Sequence, residues 1–172
     1  MSKTGTTAHA WPLLFEHHGT LLGKGFLADI EIHGRVLARP EADGVWIDGV
    51  NPGAISLGAK TLNDTHTELR ATLARVFVDF AEQTSSFEEF KARAEQFFHE
   101  TDDETEHEWA AAVEAVRAGM VVGPDGIPSR DADAERYIKV TQKTVEAVTP
   151  KDNTIVQAES ADAYYAAYAK AA

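Results

Sequence analysis

The sequence predicts an α+β fold in which a three-stranded antiparallel meander packs on one long helix, followed by an acidic helical extension. Apolar residues alternate with a period of two between Phe26 and Leu57, and they recur with a period near 3.6 between Leu69 and Phe80. Acidic residues concentrate between Glu82 and Glu114. Because half-buried strands have the first period and amphipathic helices the second, the change of period marks a switch from sheet to helix.

The composition is that of one ordinary domain. The chain has 172 residues, of which 44% are hydrophobic, so a core forms without disulfides or a structural metal. The lack of cysteine excludes a disulfide framework, a thiolate metal cluster and a cysteine nucleophile. No segment resembles a signal peptide or reaches the roughly 18 apolar residues of a membrane span, so we expect a soluble, cytoplasmic protein. We divide the chain into a leader segment (1–25), a β-meander plus helix unit (26–84), an acidic helical extension (85–119) and a C-terminal mixed segment packed on the same domain (120–172).

The strands are predicted from alternation and turn residues. The segment WPLLFEHH (residues 11–18) is too mixed in period to assign, and we interpret it as part of a packed leader. The first strand covers Phe26–Arg39, with a bulge or bend at Gly34. Asp43-Gly44 is a strong hairpin signal, so the next two strands are expected at Val45–Val50 and Ala54–Leu57.

Three helices are expected after the meander. The first runs from about 62 to 83, and its start is left open between Thr61, Asp64 and a capping box formed by Thr65 and Glu68. Ser86 opens the second helix. Asp102 or Asp103 opens the third, which ends near Gly119. The first helix carries one apolar stripe, made by Leu69, Leu73, Val76, Phe77 and Phe80.

The C-terminal segment is less regular. Residues 134–148 fit either a helix or a strand, because short apolar patterns do not separate the two. Residues 153–159 are interpreted as a short strand. Residues 161–172 are interpreted as an Ala/Tyr helix in which Tyr164 and Tyr168 stack at i, i+4.

The aromatic residues of the predicted helices are expected in the core, because helical spacing and packing on a sheet explain their positions. These residues are Phe77, Phe80, Phe87, Phe90, Phe97, Phe98 and Trp109. Trp46 is assigned to the core in the same way, although Val45 and Ile47 compete for the buried side of its strand.

The charge is high and uneven. The net charge is −12, and eleven acidic residues between Glu82 and Glu114 face only Lys91 and Arg93. This balance disfavours direct nucleic-acid binding and favours a basic protein partner, whose approach the field would accelerate. A surface that only keeps the protein soluble would explain the same run of charges. The sequence leaves the oligomeric state open. The residues assigned to partner binding are Asp102, Asp103, Glu104, Glu106 and Glu108.

No residue is assigned to catalysis, to a metal or to a cofactor. Asp103 and His107 are spaced i, i+4, so a helix would place them on one side, where they could bind a cation. The helix macrodipole, however, already favours carboxylates in the first turn of a helix, and it explains these residues without a metal. His17 and His18 are adjacent and therefore point in different directions. His33 is interpreted as a solvent-side or sheet-edge residue, and no partner is visible in the sequence that would support a role as a pH switch. A two-metal nuclease would need carboxylates on the sheet, and the candidates are Asp29, Glu31 and Asp48.

Three successive motifs resemble the HicB-like antitoxin superfamily over about residues 30–81. They are the hairpin PEADGVWIDGV, the following NPGAISLGAKT and the helix TELRATLARVFVDFA. The resemblance implies a partial RNase H-like fold and a protein that occludes a small basic ribonuclease toxin. Residues 131–172 do not have the basic recognition helix of an operator-binding module, so DNA binding is not expected. The alternatives are a phage-associated inhibitor of a nucleic-acid enzyme that mimics the phosphate backbone, and an uncharacterised metal-dependent hydrolase.

Overall fold

The computed structural model describes residues 9–143 and 164–168. Within these residues the chain forms three helices and one seven-stranded sheet. In chain order the elements are β1 (Trp11–Leu22), β2 (Leu27–Glu41), β3 (Gly44–Asn51), β4 (Ser56–Ala59), α1 (Leu62–Gln83), α2 (Phe87–His99), α3 (Asp103–Arg117), β5 (Ser129–Asp131), β6 (Tyr137–Lys143) and β7 (Tyr164–Tyr168). Among the described helices, none combines the length and the apolar character that crossing a membrane requires.

The sheet is organised around the long strand β2. The strand order is β4-β3-β2-β1-β7-β5, and β6 also pairs with β2. One edge of β2 pairs with β1 over residues 27–38, whereas the other edge pairs with β6 over residues 27–33 and with β3 over residues 35–41. Every pairing is antiparallel except that of β5 with β7. The same edge of β2 thus pairs with two different strands, and the sheet divides into a half that contains β6 and a half that contains β3 and β4.

The predicted meander and main helix are confirmed. Strands β2, β3 and β4 form successive antiparallel pairs, and no helix occurs between Val45 and Leu57, all of which the structure describes. The predicted irregularity near Gly34 is a register shift between Arg35 and Val36. A Cβ atom at Gly34 would lie 2.3 Å from the carbonyl oxygen of Asn51, so only glycine fits where the two strands approach.

The helices begin where the sequence indicates. Thr61, Ser86 and Asp102 are the N-cap residues, and each side chain accepts a hydrogen bond from a backbone N–H in the first turn. Of the three starts considered for the first helix, Thr61 is therefore the one adopted. After α3, Gly119 has a φ of +70°, which ends the helix in a conformation that favours glycine.

Two strands were not predicted, and each contains residues that are buried on both faces of the sheet. The unassigned leader contains β1, a central strand of the sheet. Its consecutive residues Leu13, Leu14 and Phe15 are all buried, so no alternation marks it. The expected Ala/Tyr helix instead contains strand β7, because pairing with β1 and β5 overrides the helix propensity of alanine.

The remaining C-terminal predictions are only partly covered. Tyr137–Lys143 form a strand, which settles that part of the ambiguous segment. Residues 144–148, the expected strand at 153–159, and the ends of the expected helix at 161–163 and 169–172 lie outside the described residues.

The sheet lies between two helical layers. Helices α1 and α2 cover one face over a large apolar core, and α3 covers part of the other face over a smaller one. Trp109 is buried in the smaller core. The large core contains, among others, Phe15, Ile30, Ile32, Ile47, Leu73, Phe77, Phe90 and Phe98, with Phe80, Phe87 and Phe97 packed partly buried against it.

Trp46 does not belong to either core, which corrects the prediction made for it. Its side chain is 43% exposed, whereas its neighbour Ile47 is fully buried. Adjacent residues of a strand point to opposite faces, so Ile47 takes the inward position and excludes Trp46 from it. The indole lies instead over Gly58 and donates a hydrogen bond from Nε1 to Oγ of Ser56 at 3.0 Å.

Candidate functional site

The acidic segment divides into paired and unpaired carboxylates. Four of its eleven acidic residues form ion pairs: Glu95 with Lys91, Glu106 with Arg35, Glu108 with Arg39, and Glu114 with Arg117. The other seven are exposed and make no ion pair with another described residue. These seven are Glu82, Glu88, Glu89, Glu100, Asp102, Asp103 and Glu104.

Glu106 connects α3 to a buried arginine on the sheet. Arg35 is only 3% exposed, and its Nη2 atom lies 2.5 Å from Oε1 of Glu106. Its Nε atom donates to Oδ1 of Asn51 at 2.7 Å, and the guanidinium lies 5.3 Å from the ring centroid of Trp109. Burial lowers the pKa of Arg35, and the hydrogen bond with Glu106 opposes that shift. An arginine stays protonated in such surroundings, so Glu106 balances a buried positive charge.

Arg39 forms a second connection on the same side. Its guanidinium bonds both Asp48 on β3 and Glu108 on α3. Because Arg35, Leu37 and Arg39 alternate along β2, they share one face, with the leucine in the small core between the two charges. Two of the five residues assigned to partner binding are thus paired within the protein: Glu106 turns to the sheet, whereas Glu108 remains 44% exposed although it is paired.

The first turn of α3 holds the other predicted partner-binding residues. Asp102 accepts hydrogen bonds from the hydroxyl of Thr105 at 2.8 Å and from its backbone N–H at 3.0 Å, and these bonds lower the pKa of Asp102. Asp103 and Glu104 are exposed. The imidazole of His107 donates from Nδ1 to the carbonyl oxygen of Asp103 at 2.8 Å, a contact that explains its position without a cation. No group of three or more residues suited to hold a metal ion is found within 9–143 and 164–168.

A second polar region lies on the sheet face that α3 partly covers, on the half of that face beside the helix. We call it the polar sheet face. Because side chains alternate along a strand, residues from β1, β2 and β6 converge on it. Its central members are Glu16, His18, Thr20, Asp29, Glu31, His33 and Tyr137.

Asp29 is held by two neighbours on β1. Both of its carboxylate oxygens lie 3.0 Å from Nε2 of His18, and Oγ1 of Thr20 donates to Oδ1 at 2.9 Å. Burial raises the pKa of Asp29, but the hydrogen bonds to His18 and Thr20 outweigh it and keep the pKa below its usual value. The carboxylate is therefore stabilised in its charged form.

His33 is flanked by two carboxylates and an aromatic ring. Its ring nitrogens lie 3.7 Å from Glu16 and 3.3 Å from Glu31, and it stacks on Tyr137 with centroids 4.5 Å apart. The hydroxyl of Tyr137 donates to Oε1 of Glu31 at 2.6 Å, which lowers the pKa of Glu31 and raises the pKa of Tyr137 to about 12. His33 therefore has partners on β1, β2 and β6 that the sequence did not make visible.

The structure does not bring the three candidate nuclease carboxylates into one set. Asp29 bonds His18 and Thr20, Glu31 bonds Tyr137, and Asp48 bonds Arg39 and Ser56. A two-metal mechanism needs carboxylates that share a cation. Here each carboxylate interacts with a separate group, so the described geometry favours an ordered polar surface.

The sequence contained a signal for this surface that was missed. Glu16, His18 and Thr20 alternate on β1 as Asp29, Glu31 and His33 do on β2. A hairpin around the glycines of LGKG would have predicted the observed register, in which Glu16 lies opposite His33 and Thr20 opposite Asp29. The buried triplet in β1 obscured the strand, and with it the pairing.

Comparisons of this chain with protein-family models, curated proteins and solved structures find no match. The HicB-like resemblance therefore depends on the motifs quoted above and stays a proposal.

Proposed function

We propose that this chain is an antitoxin-like inhibitor that binds and occludes a basic protein, such as a small ribonuclease toxin. The proposed contact is the acidic turn between α2 and α3, which consists of Glu100, Asp102, Asp103 and Glu104. The observation that carries the proposal is the concentration of these four exposed carboxylates within five residues, none in an ion pair with a described residue. The HicB-like motifs support the same class of function.

The acidic turn is held in place by the fold. The backbone N–H of Gly53, in the connection between β3 and β4, donates to the carbonyl oxygen of Glu100 at 2.9 Å. Asp102 caps α3, whose far side is joined to the sheet through Glu106. A charged surface that is already ordered loses little conformational freedom on binding, so the unpaired carboxylates favour association with a positively charged surface.

The structure also indicates which acidic residues to leave intact in a test. Replacing Glu106 or Glu108 would remove the partners of Arg35 and Arg39, and a change in binding would then be mixed with a change in the attachment of α3. The informative variant is Asp103→Asn/Glu104→Gln. Its matched control is Glu41→Gln/Glu68→Gln, which removes the same charge from exposed positions on the β2–β3 hairpin and on α1.

The experiment has two stages. Affinity capture from a native lysate, followed by mass spectrometry, identifies bound proteins, and stopped-flow or surface-based kinetics then measures association at several salt concentrations. We expect Asp103→Asn/Glu104→Gln to slow association and to flatten its salt dependence much more than the control does. Equal association rates and equal salt slopes in the two variants would contradict the proposal.

The nature of the captured protein separates the proposal from its nearest alternative. A small basic ribonuclease whose activity the chain suppresses supports the antitoxin-like function. A nucleic-acid enzyme from which DNA or RNA displaces the chain would instead favour mimicry of the phosphate backbone, since competitive ligands share a site.

A further inference from the structure

A cleft of about 500 Å³ opens between α1 and residues 17–21 of β1. It lies away from the acidic turn, and its lining includes His18 and Thr20, which also belong to the polar sheet face. Its volume falls within the range of roughly 300–1,000 Å³ that is typical of small-molecule sites. The cleft is therefore large enough to hold an organic ligand.

The inner surface of the cleft is apolar. Leu21, Ile30 and Phe77 line it, and all three are buried side chains of the large core. On the helical wall, small residues such as Ala71 and Ala74 take the positions that face the cleft. A ligand with an apolar body would cover the half-buried Ala71, Ala74 and Val78 of this wall, and that burial is favourable in proportion to the area covered.

The rim of the cleft is basic in an otherwise acidic chain. Arg70 and Arg75 line it, and Asp79 is the one carboxylate residue among its described lining residues, although the net charge of the chain is −12. Arg75 is exposed, and its Nη2 atom donates to Oγ1 of Thr72 at 3.1 Å. This bond uses only one of the five N–H donors of the guanidinium. An arginine fork matches the geometry of a carboxylate.

We propose that this cleft binds a small amphipathic carboxylate, with its apolar body against Leu21, Ile30 and Phe77 and its carboxylate at Arg75. A simple inorganic anion would not use the apolar surface, and an organic cation would be repelled at the basic rim. The proposal does not depend on the function assigned to the acidic turn, because the two regions share no residue. It assigns the chain a ligand site of its own.

Three eight-carbon probes with different head groups test the charge preference. Sodium octanoate, 1-octanol and octylammonium chloride are titrated into the full chain, and ¹⁵N–¹H NMR reports both affinity and location. We expect octanoate to bind saturably and one-to-one, with shifts confined to residues 17–21 of β1 and to the cleft side of α1. Octanol should bind roughly tenfold more weakly, which corresponds to one charge-assisted hydrogen bond, and octylammonium more weakly still.

Two pairs of variants test the assigned residues. Arg75→Gln should weaken octanoate binding roughly tenfold and leave octanol binding unchanged, whereas Arg117→Gln, which removes an exposed arginine on α3, should affect neither. Ala74→Phe should fill the cleft and weaken both ligands. Its control is Ala110→Phe at an exposed position on α3. Circular dichroism and thermal unfolding verify that each variant is folded.

The proposal would be overturned by any of three results. One is equal affinity for octanoate and octylammonium. Another is a set of octanoate shifts that lie outside the cleft. The third is octanoate binding that is the same in folded Arg75→Gln and in folded Arg117→Gln.

Discussion

The two faces of the sheet are covered by helices through different kinds of interaction. Helices α1 and α2 pack on a continuous apolar core, in which Phe77, Phe80 and Phe97 form a cluster of edge-to-face rings with centroids 5.6–6.2 Å apart. Helix α3 packs on a smaller core and is also joined to the sheet by the Arg35 and Arg39 ion pairs. The first face is therefore stabilised by burial, and the second by burial together with charge.

The acidic segment contains two kinds of carboxylate. On α3, Glu106 and Glu108 are oriented toward the arginines of β2, whereas Asp103 and Glu104 one turn earlier form no ion pair with a described residue. Moderate salt changes apolar burial little, but it screens partly exposed ion pairs. We therefore expect α3 to respond to salt more than α1 does.

The largest effect is expected on the apolar face. Phe77→Ala removes a ring that is 1% exposed and leaves a cavity in the large core. We predict a loss of about 3–5 kcal/mol in the free energy of unfolding, measured by urea denaturation. The partly buried Phe87 provides a control, because Phe87→Ala should cost less at the margin of the same core. Similar costs at the two sites would show that the core is not concentrated around Phe77.

A smaller effect is expected from the buried arginine. Arg35→Met keeps much of the apolar side-chain volume but removes the hydrogen bonds to Asn51 and the ion pair with Glu106. We predict a loss of about 2–3 kcal/mol, since hydrogen bonds to a charged group are lost and the Asn51 side chain, itself buried, loses its donor. The double variant Arg35→Met/Glu106→Gln should be less destabilised than the sum of the two single variants. Strict additivity would mean that the two side chains do not interact.

A matched pair on α3 separates the structural carboxylates from the unpaired ones. Glu106→Gln should lower the unfolding free energy by about 1 kcal/mol, discounted because this side chain is partly exposed. Asp103→Asn should change it by less than about 0.5 kcal/mol, as is usual for surface positions. Both substitutions neutralise one charge, so a difference in stability between the two variants, measured by thermal and urea unfolding, reports only the position of the residue. Equal losses would show that total charge, and not the ion pair with Arg35, determines the effect.

A mild dependence on acid is expected from the polar sheet face. The pKa values of Asp29 and Glu31 are lowered in the folded chain, so these carboxylates stabilise the fold above their unfolded values, near 3.8 and 4.5. That stability is lost as the pH falls through the lowered values. Urea unfolding between pH 7 and pH 3 should show the decline, and Tyr137→Phe should make it shallower because the hydrogen bond to Glu31 is gone. An identical decline in Tyr137→Phe would contradict the role of that bond.

The sequence predicted the elements whose periodicity is local. The N-caps of α2 and α3, the span of α1 and the β2–β3–β4 meander followed from alternation, capping residues and turn residues, all of which act within a few positions. Strands β1 and β7 did not follow, because the part of β1 that pairs with β7 is buried on both faces and both strands depend on pairing between distant segments. In Tyr164–Tyr168 the alanines favour a helix and the tyrosines favour a strand, so propensity alone does not decide the element.

The candidate site shows the same limit. The residue types of the acidic segment were visible in the sequence, but their division into paired and unpaired groups depends on Arg35 and Arg39, roughly seventy positions earlier in the chain. The polar sheet face and the cleft beside α1 also require the position of β1. Charge composition is therefore visible in the sequence, whereas contacts between distant residues decide which carboxylates form ion pairs within the described structure.

Native-state hydrogen exchange tests most directly the claim that the two faces are held differently. We predict that the amides of α1 in the segment 69–81 exchange only through global unfolding, whereas those of α3 in the segment 107–116 exchange through a smaller opening with a lower free energy. Raising the salt concentration should lower the free energy of the α3 opening by weakening the Arg35 and Arg39 ion pairs, and change that of α1 little. Equal protection of both helices at low and at high salt would contradict this account.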